Sequence, residues 1–240
     1  MIQRMLAGGL IAGFAAGLLG ALLHFAFVQE LILLGEEYET GALVHFAGVG
    51  EGAAEASQDH AEGEAAQGHG DEEDGGSALT RNGLTVLFTG LIYAGYGLLL
   101  VAGFALAEHF GRRVEARDGV LWGLAGFAAL QLVPAMGLAP ELPGSVAADL
   151  ADRQIWWFGT ALATATGLAA LAFGRGVMPA VIGGALLAAP HVIGAPLPEG
   201  FHGVAPPEVA GEFSARVLGV GFATWAVLGW LAARLWSRDA

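Results

Sequence analysis

The sequence predicts an all-α integral membrane protein, a polytopic bundle of about six transmembrane helices with both termini in the cytoplasm. Three observations predict it. Charged residues make up 14% of the chain against 55% hydrophobic ones, where a soluble domain carries about 25% charged residues. The charges gather in clusters separated by long uncharged runs. Basic and acidic clusters fall on alternate sides of those runs.

A bilayer core about 30 Å thick needs a helix of about 20 apolar residues at 1.5 Å each. The first run, Met5 to Gln29, lies between Arg4 and Glu30. It exceeds the h-region of a signal peptide, about 7–15 residues, and no A-x-A cleavage site follows. It is therefore read as a retained helix. The second run is Asn82 to Ala107, the third Gly119 to Pro140 and the fourth Gln154 to Gly174. The fifth, Gly176 to Pro198, follows a tight Gly174-Arg175-Gly176 turn and holds Pro179 and Pro190. Five spans plus a re-entrant segment is the alternative that these prolines leave open. The sixth, Val217 to Ala233, is short unless Phe213 to Arg216 joins it and the arginines snorkel.

All basic residues are arginine. Arg4, Arg112, Arg113, Arg117, Arg175, Arg234 and Arg238 fall on one side of the six spans; Arg81, Arg153 and Arg216 fall on the other, each at a helix boundary. The positive-inside rule places the first group in the cytoplasm. The outer loops, 35–80, 140–153 and 199–216, hold most of the acids behind the net charge of −13. The chain then divides into a first helix with its outer end (1–34), an acidic outer loop (35–80) and a bundle of five further helices (81–240). Gly9, Gly13 and Gly17 form a small-residue ridge on the first helix, and Gly119 and Gly123 on the third. Such ridges let membrane helices approach closely.

The stretch 51–77 is acidic, of low complexity and lacks aromatic residues. It cannot bury enough apolar surface to fold alone. His60 and His69 lie in it and His45 just upstream. Imidazole with carboxylate suits divalent first-row metals, so the stretch reads either as a weak, exchanging cation collector or as a solvated acidic linker.

Polar groups at membrane depth are candidates for function. His24, near the outer end of the first span, reads as a metal ligand or as an interfacial histidine. At the exit of the third span, Pro134 removes a helix hydrogen bond and crowds the Leu130 carbonyl. Freed backbone oxygens that line a cavity are one way transporters hold cations. Met136 and Glu141 follow as a soft and a hard donor; the alternative is a proline-ended helix with Glu141 in solvent. Arg153 can fork onto Glu141 or Asp152, and Trp156 with Trp157 suits the outer aromatic belt. His191 follows Pro190, and His202 lies in the loop beyond. The topology puts His24, Glu141, His191 and His202 on one side of the membrane. The metal-ligand candidates are thus His24, Glu141, His191, His202, Met136, His60 and His69.

The absence of cysteine excludes disulfides, zinc fingers and iron–sulfur clusters. No P-loop, H-E-x-x-H, G-x-S-x-G or Rossmann fingerprint occurs. No basic patch suits nucleic acid. An enzyme is not expected.

The segments GLAPELPG (Gly137 to Gly144), AADLADRQIWW (Ala147 to Trp157) and APHVIGAP (Ala189 to Pro196), in a polytopic chain of this length, resemble the CbtA family of predicted cobalt transporter subunits. The resemblance covers most of the chain. It implies cobalt uptake across the bacterial cytoplasmic (inner) membrane, linked to cobalamin synthesis. It implies a partner as well, the small single-span CbtB subunit with a histidine-rich terminus. It also implies five spans, against the six counted from the runs, and it carries no ligand assignment. The expected function is a cobalt-uptake subunit that collects divalent cations on its acidic outer face and passes them through the bundle. Co²⁺ is the cargo and not a resident cofactor, Ni²⁺ is an alternative, and a homo-oligomer is compatible. A non-transporting scaffold or metal-binding accessory subunit is the competing expectation.

Overall fold

The computed structural model describes residues 2–45, 71–200 and 203–239. Among them the chain runs α1 (Ile2–Phe27), α2 (Gln29–Glu39), α3 (Asp71–His109), a 3-10 turn (Ala116–Asp118), α4 (Gly119–Phe127), a π-helical segment (Ala128–Leu132), the single turn α5 (Val133–Ala135), α6 (Leu150–Phe173), α7 (Val177–Ile193) and α8 (Pro207–Asp239). No strand occurs among the described residues; the loops at Ser145 and Gly203 share one isolated antiparallel bridge.

The first, second, third, fourth and sixth predicted runs appear as five helices long and apolar enough to cross a membrane: Met5–Phe27, Ala78–His109, Ala116–Ala135, Leu150–Phe173 and Pro207–Ser237. The chain is an all-α, multi-pass membrane protein. The fifth run yields α7, whose 17 residues reach roughly 25 Å at 1.5 Å per residue. Helix α7 nevertheless returns the whole way along α6. Gly174 at the end of α6 meets Pro179, Gly167 meets Gly183, and Trp156 near its start meets Pro190.

The two ends of the chain confirm that return. Gly8 faces Leu235, Gly20 faces Thr224, and Arg216 Nη1 donates to the Phe27 carbonyl at 2.9 Å. Helices α1 and α8 are therefore antiparallel, and the start of α1 shares a face with the end of α8. An odd number of crossings would separate them. Five helices have the length and apolarity of a span, the number the resemblance implies, and α7 is a shorter apolar helix that carries the chain back beside α6.

Four helices form the body. Helix α1 packs on α3 and α8, and α4 packs on α8. The glycine ridges read from the sequence sit at these contacts. A Cβ on Gly17 would stand 2.7 Å from Gly90 Cα, and one on Gly13 would strike the Tyr93 carbonyl and Ala94. Gly119 and Gly123 meet Gly229 and the Trp225 carbonyl in the same way. Lipid tails are as apolar as the helix surfaces, so close backbone contact and dispersion hold membrane helices together where hydrophobic transfer cannot. Phe104, Trp225 and Leu228 fill the space between, at 0%, 1% and 0% exposure. At the arginine-rich face, Trp236 Nε1 donates to Glu108 Oε1 at 2.9 Å and ties the ends of α8 and α3.

Helices α6 and α7 form a separate hairpin. It touches the body through the π segment, α5 and a small part of α4. At the outer face a second small core joins Val28, Leu31, Leu142 and Phe213. It seats α2 and the 137–146 loop over the start of α8. Gly35 fits against Leu142 and Pro143, where a Cβ would come within 3.2 Å and 3.1 Å.

Candidate functional site at the outer face

The three segments singled out in the sequence converge. Gly137 leaves α5 and lies between two partners: a Cβ there would be 2.5 Å from Trp156 Cη2 and 2.9 Å from Ala195 Cβ. Trp156 Nε1 donates to the Pro190 carbonyl at 3.3 Å, and its ring meets His191 edge-on at 6.3 Å. The first turn of α6 is set by Asp149, whose Oδ1 accepts from the amides of Ala151 and Asp152 at 2.9 Å and 3.3 Å. Such an N-cap satisfies otherwise orphaned donors. The cap aims Arg153 at Glu141; Nη2 to Oε2 is 3.0 Å. Ser214 of α8 donates to the Pro140 carbonyl at 2.7 Å. Gly144 takes φ +75°, and a Cβ there would press on Val204 at 2.5 Å.

Beneath this cover lies a cavity of about 410 Å³. Glu141, Arg153 and Gln154 line it at the N-terminal end of α6, Trp157 and Phe158 form its α6 wall, and Pro134, Gln131 and Leu130 line it from the third predicted run. Pro134 lies two residues beyond the π segment, after Val133. The wider π turn takes up the irregularity that a proline imposes on a helix. It also turns the only polar side chain of that stretch, Gln131, between the cavity and the body. Gln131 Oε1 is buried without a hydrogen-bond partner among the described residues and lies against Gly221 of α8. The Gln131 amide group meets Tyr93 in the body, and Tyr93 in turn meets Thr224. Two threonines of α6, Thr160 and Thr164, are 1% and 0% exposed, and their hydroxyls likewise have no partner among the described residues. Buried polar groups are normally satisfied, so Gln131 is the cavity-lining group open to a polar guest, whereas Thr160 and Thr164 share the face of α6 that carries Gly167 against α7 and do not line the cavity.

The candidate ligands divide. Glu141 and His191 are both attached to the start of α6, through Arg153 and Trp156, and so share one patch. Met136, 70% exposed, adjoins it at the end of α5. His24 does not join them. It sits half-buried on α1 beside Phe25, and α1 makes no contact with α6 or α7 among the described residues. His24 is thus set apart from Glu141 and His191: a common face of the membrane does not fix a common side of the bundle. His60, His69 and His202 lie outside the described residues. Among the described residues no three His, Asp or Glu side chains form a group able to hold a metal ion.

Sequence reasoning passed over Gln131, Thr160, Thr164 and Ser214. The rule that flagged His24, polar groups at membrane depth, applies equally to Gln131 as a lone amide in an apolar run.

No curated protein and no solved structure matches the chain. The sequence model of one family, described as "Probable cobalt transporter subunit (CbtA)", matches residues 2–237. With nearly its whole length matched, and with the three converging segments at one end of a multi-pass bundle, the chain belongs to the CbtA family of probable cobalt transporter subunits.

Proposed function

We propose that this transporter subunit admits Co²⁺ from the outer face through the cavity beneath Glu141. The observation that supports the reading is the cavity itself, which leads from the Glu141–Arg153 pair down to Gln131. The outer acidic stretch with His45, His60 and His69 would raise the local cation concentration. An arriving dication would compete with Arg153 for the Glu141 carboxylate. That exchange is cheap, because a partly exposed ion pair is worth about 0–1 kcal/mol. His191 and Met136 would supply further N and S donors at the same patch; Co²⁺, or Ni²⁺ as the alternative cargo, accepts such donors. The membrane potential adds about 2.3 kcal/mol per charge per 100 mV, so about 4.6 for a dication. A small single-span CbtB-type subunit would complete the path beyond Gln131, in the cytoplasmic membrane, and self-association is compatible with it.

The accessory reading has one observation in its favour, the absence of a three-ligand group among the described residues. Radioactive cobalt uptake separates the two. Cells carrying the chain with its single-span partner should take up cobalt, and Glu141→Gln should reduce uptake about tenfold, the loss that about 1.4 kcal/mol produces. Unchanged uptake in Glu141→Gln at equal membrane levels would favour the accessory role.

A further inference from the structure

Helices α4 and α6 touch near the outer face and diverge toward the arginine-rich face. The wedge between them, closed behind by α3, is a groove of about 820 Å³, within the size range of small-molecule sites, about 300–1,000 Å³. Its walls are apolar: Leu121 and Trp122 from α4, Leu168 and Phe173 from α6, with Trp225 at the deep end. Trp122 and Phe173 approach with ring centroids 6.0 Å apart, and Trp122 stands edge-on to Phe104 at 5.1 Å. The mouth is different. Arg112 and Arg113 line it, beside Gly111 and Asp118.

The charges at that mouth are unequal in their partners. Asp118 is already engaged: its Oδ2 accepts from the Glu115 amide at 3.1 Å, and Arg117 lies 3.9 Å from its other oxygen. Arg117 also pairs with Glu115 at 3.1 Å. Arg112 and Arg113 make no ion pair among the described residues; Arg112 reaches only the Phe173 carbonyl, at 3.5 Å, which holds it across the groove. Two guanidinium groups repel a dication, so this groove is a poor passage for the cargo. They match a phosphate, and the walls match a hydrocarbon chain.

We propose that the α4–α6 wedge binds an anionic phospholipid, its phosphate on Arg112 and Arg113 and an acyl chain along Leu121, Trp122 and Leu168. Basic pockets between helices on the cytoplasmic side hold anionic headgroups in this way.

The test is native mass spectrometry of the purified full-length chain with added palmitoyl-oleoyl phosphatidylglycerol or the zwitterionic phosphatidylcholine. Phosphatidylglycerol should be retained about thirtyfold better, the factor expected for two arginines near a membrane surface. Arg112→Gln with Arg113→Gln should abolish that preference, while Arg112→Lys with Arg113→Lys should keep most of it. Ala169→Trp, which fills the groove from an exposed position and leaves the charges intact, should cut retention of phosphatidylglycerol. Equal retention of the two lipids by the native chain would overturn the proposal, as would a glutamine pair that keeps the preference. Displacement of the lipid by excess inorganic phosphate alone would overturn it too, since the site would then be an anion site without a chain-binding groove. So would unchanged retention in Ala169→Trp.

Discussion

The body of α1, α3, α4 and α8 and the α6–α7 hairpin are built from similar residues yet held in different ways. In the body, backbone meets backbone. Gly13 and Gly17 lie against Tyr93, Ala94 and Gly90, and Gly123 lies against Trp225 and Gly229. The hairpin has such a contact only within itself, at Gly167 and Gly183. Side chains fix it to the body, Trp156 on Gly137 and Arg153 on Glu141 at one end and Trp122 and Arg112 against Phe173 at the other. In a bilayer the hydrophobic effect does not press helices together, so contact geometry decides which parts are rigid. The body is a scaffold. The hairpin stands beside it, attached through the three segments singled out in the sequence, with one cavity under that attachment and one wedge behind it.

The largest effect should come from breaking the scaffold. Gly13→Leu places a side chain where the Tyr93 carbonyl stands. Overpacking costs about 1–3 kcal/mol or more, and here backbone must move. The folded fraction in fluorescence-detected size exclusion should fall severalfold, while Gly159→Leu on α6, where a Cβ meets nothing within 4 Å, should be tolerated. Equal tolerance would erase the distinction between the two regions.

Next is that attachment. Trp156→Ala removes the ring that fills the space over Gly137 and the donor to the Pro190 carbonyl. A large-to-small change of this kind costs up to about 3–5 kcal/mol in a soluble core, and less here because the ring is only partly buried. Proteolysis of the 194–206 loop should quicken, with no change at the 110–118 loop in the body.

Smaller effects should follow at the outer ties. Ser214→Ala loses one hydrogen bond to Pro140, worth about 1 kcal/mol, and should lower the melting temperature by a few degrees at most. A double-mutant cycle on Glu141 and Arg153, 36% and 29% exposed, should give a coupling below about 1 kcal/mol. A larger value would mean that the pair is a structural clasp and not an exchangeable lid for a cation.

The sequence contained much of the scaffold and less of the site. The spans follow from where charge is missing, which is a one-dimensional property. The ridges at Gly9, Gly13 and Gly17 and at Gly119 and Gly123 follow from helical spacing, another local property. Charge clusters give the face on which His24, Glu141 and His191 emerge, but no local pattern gives the direction around the bundle. Helix α1 is bound to α3 and α8 and lies away from α6, so His24 parts from the other two. The cavity at Gln131 and the α4–α6 wedge arise from how far two helices splay, which residues distant in sequence decide. Helix α7 shows the opposite case. Its prolines argue against a full span, and it is the one predicted run that yields a shorter helix, yet it packs antiparallel along α6.

The central claim is that the cavity beneath Glu141 opens outward and reaches Gln131. The native chain lacks cysteine, so single cysteines report without a background. Gln131→Cys should react with a membrane-impermeant thiol reagent added outside intact cells, more slowly than Gln154→Cys at the mouth, and cobalt should slow both. If Gln154→Cys reacts from outside and Gln131→Cys does not, with both proteins present at normal levels, the cavity is closed to the outer face and the proposed route is wrong.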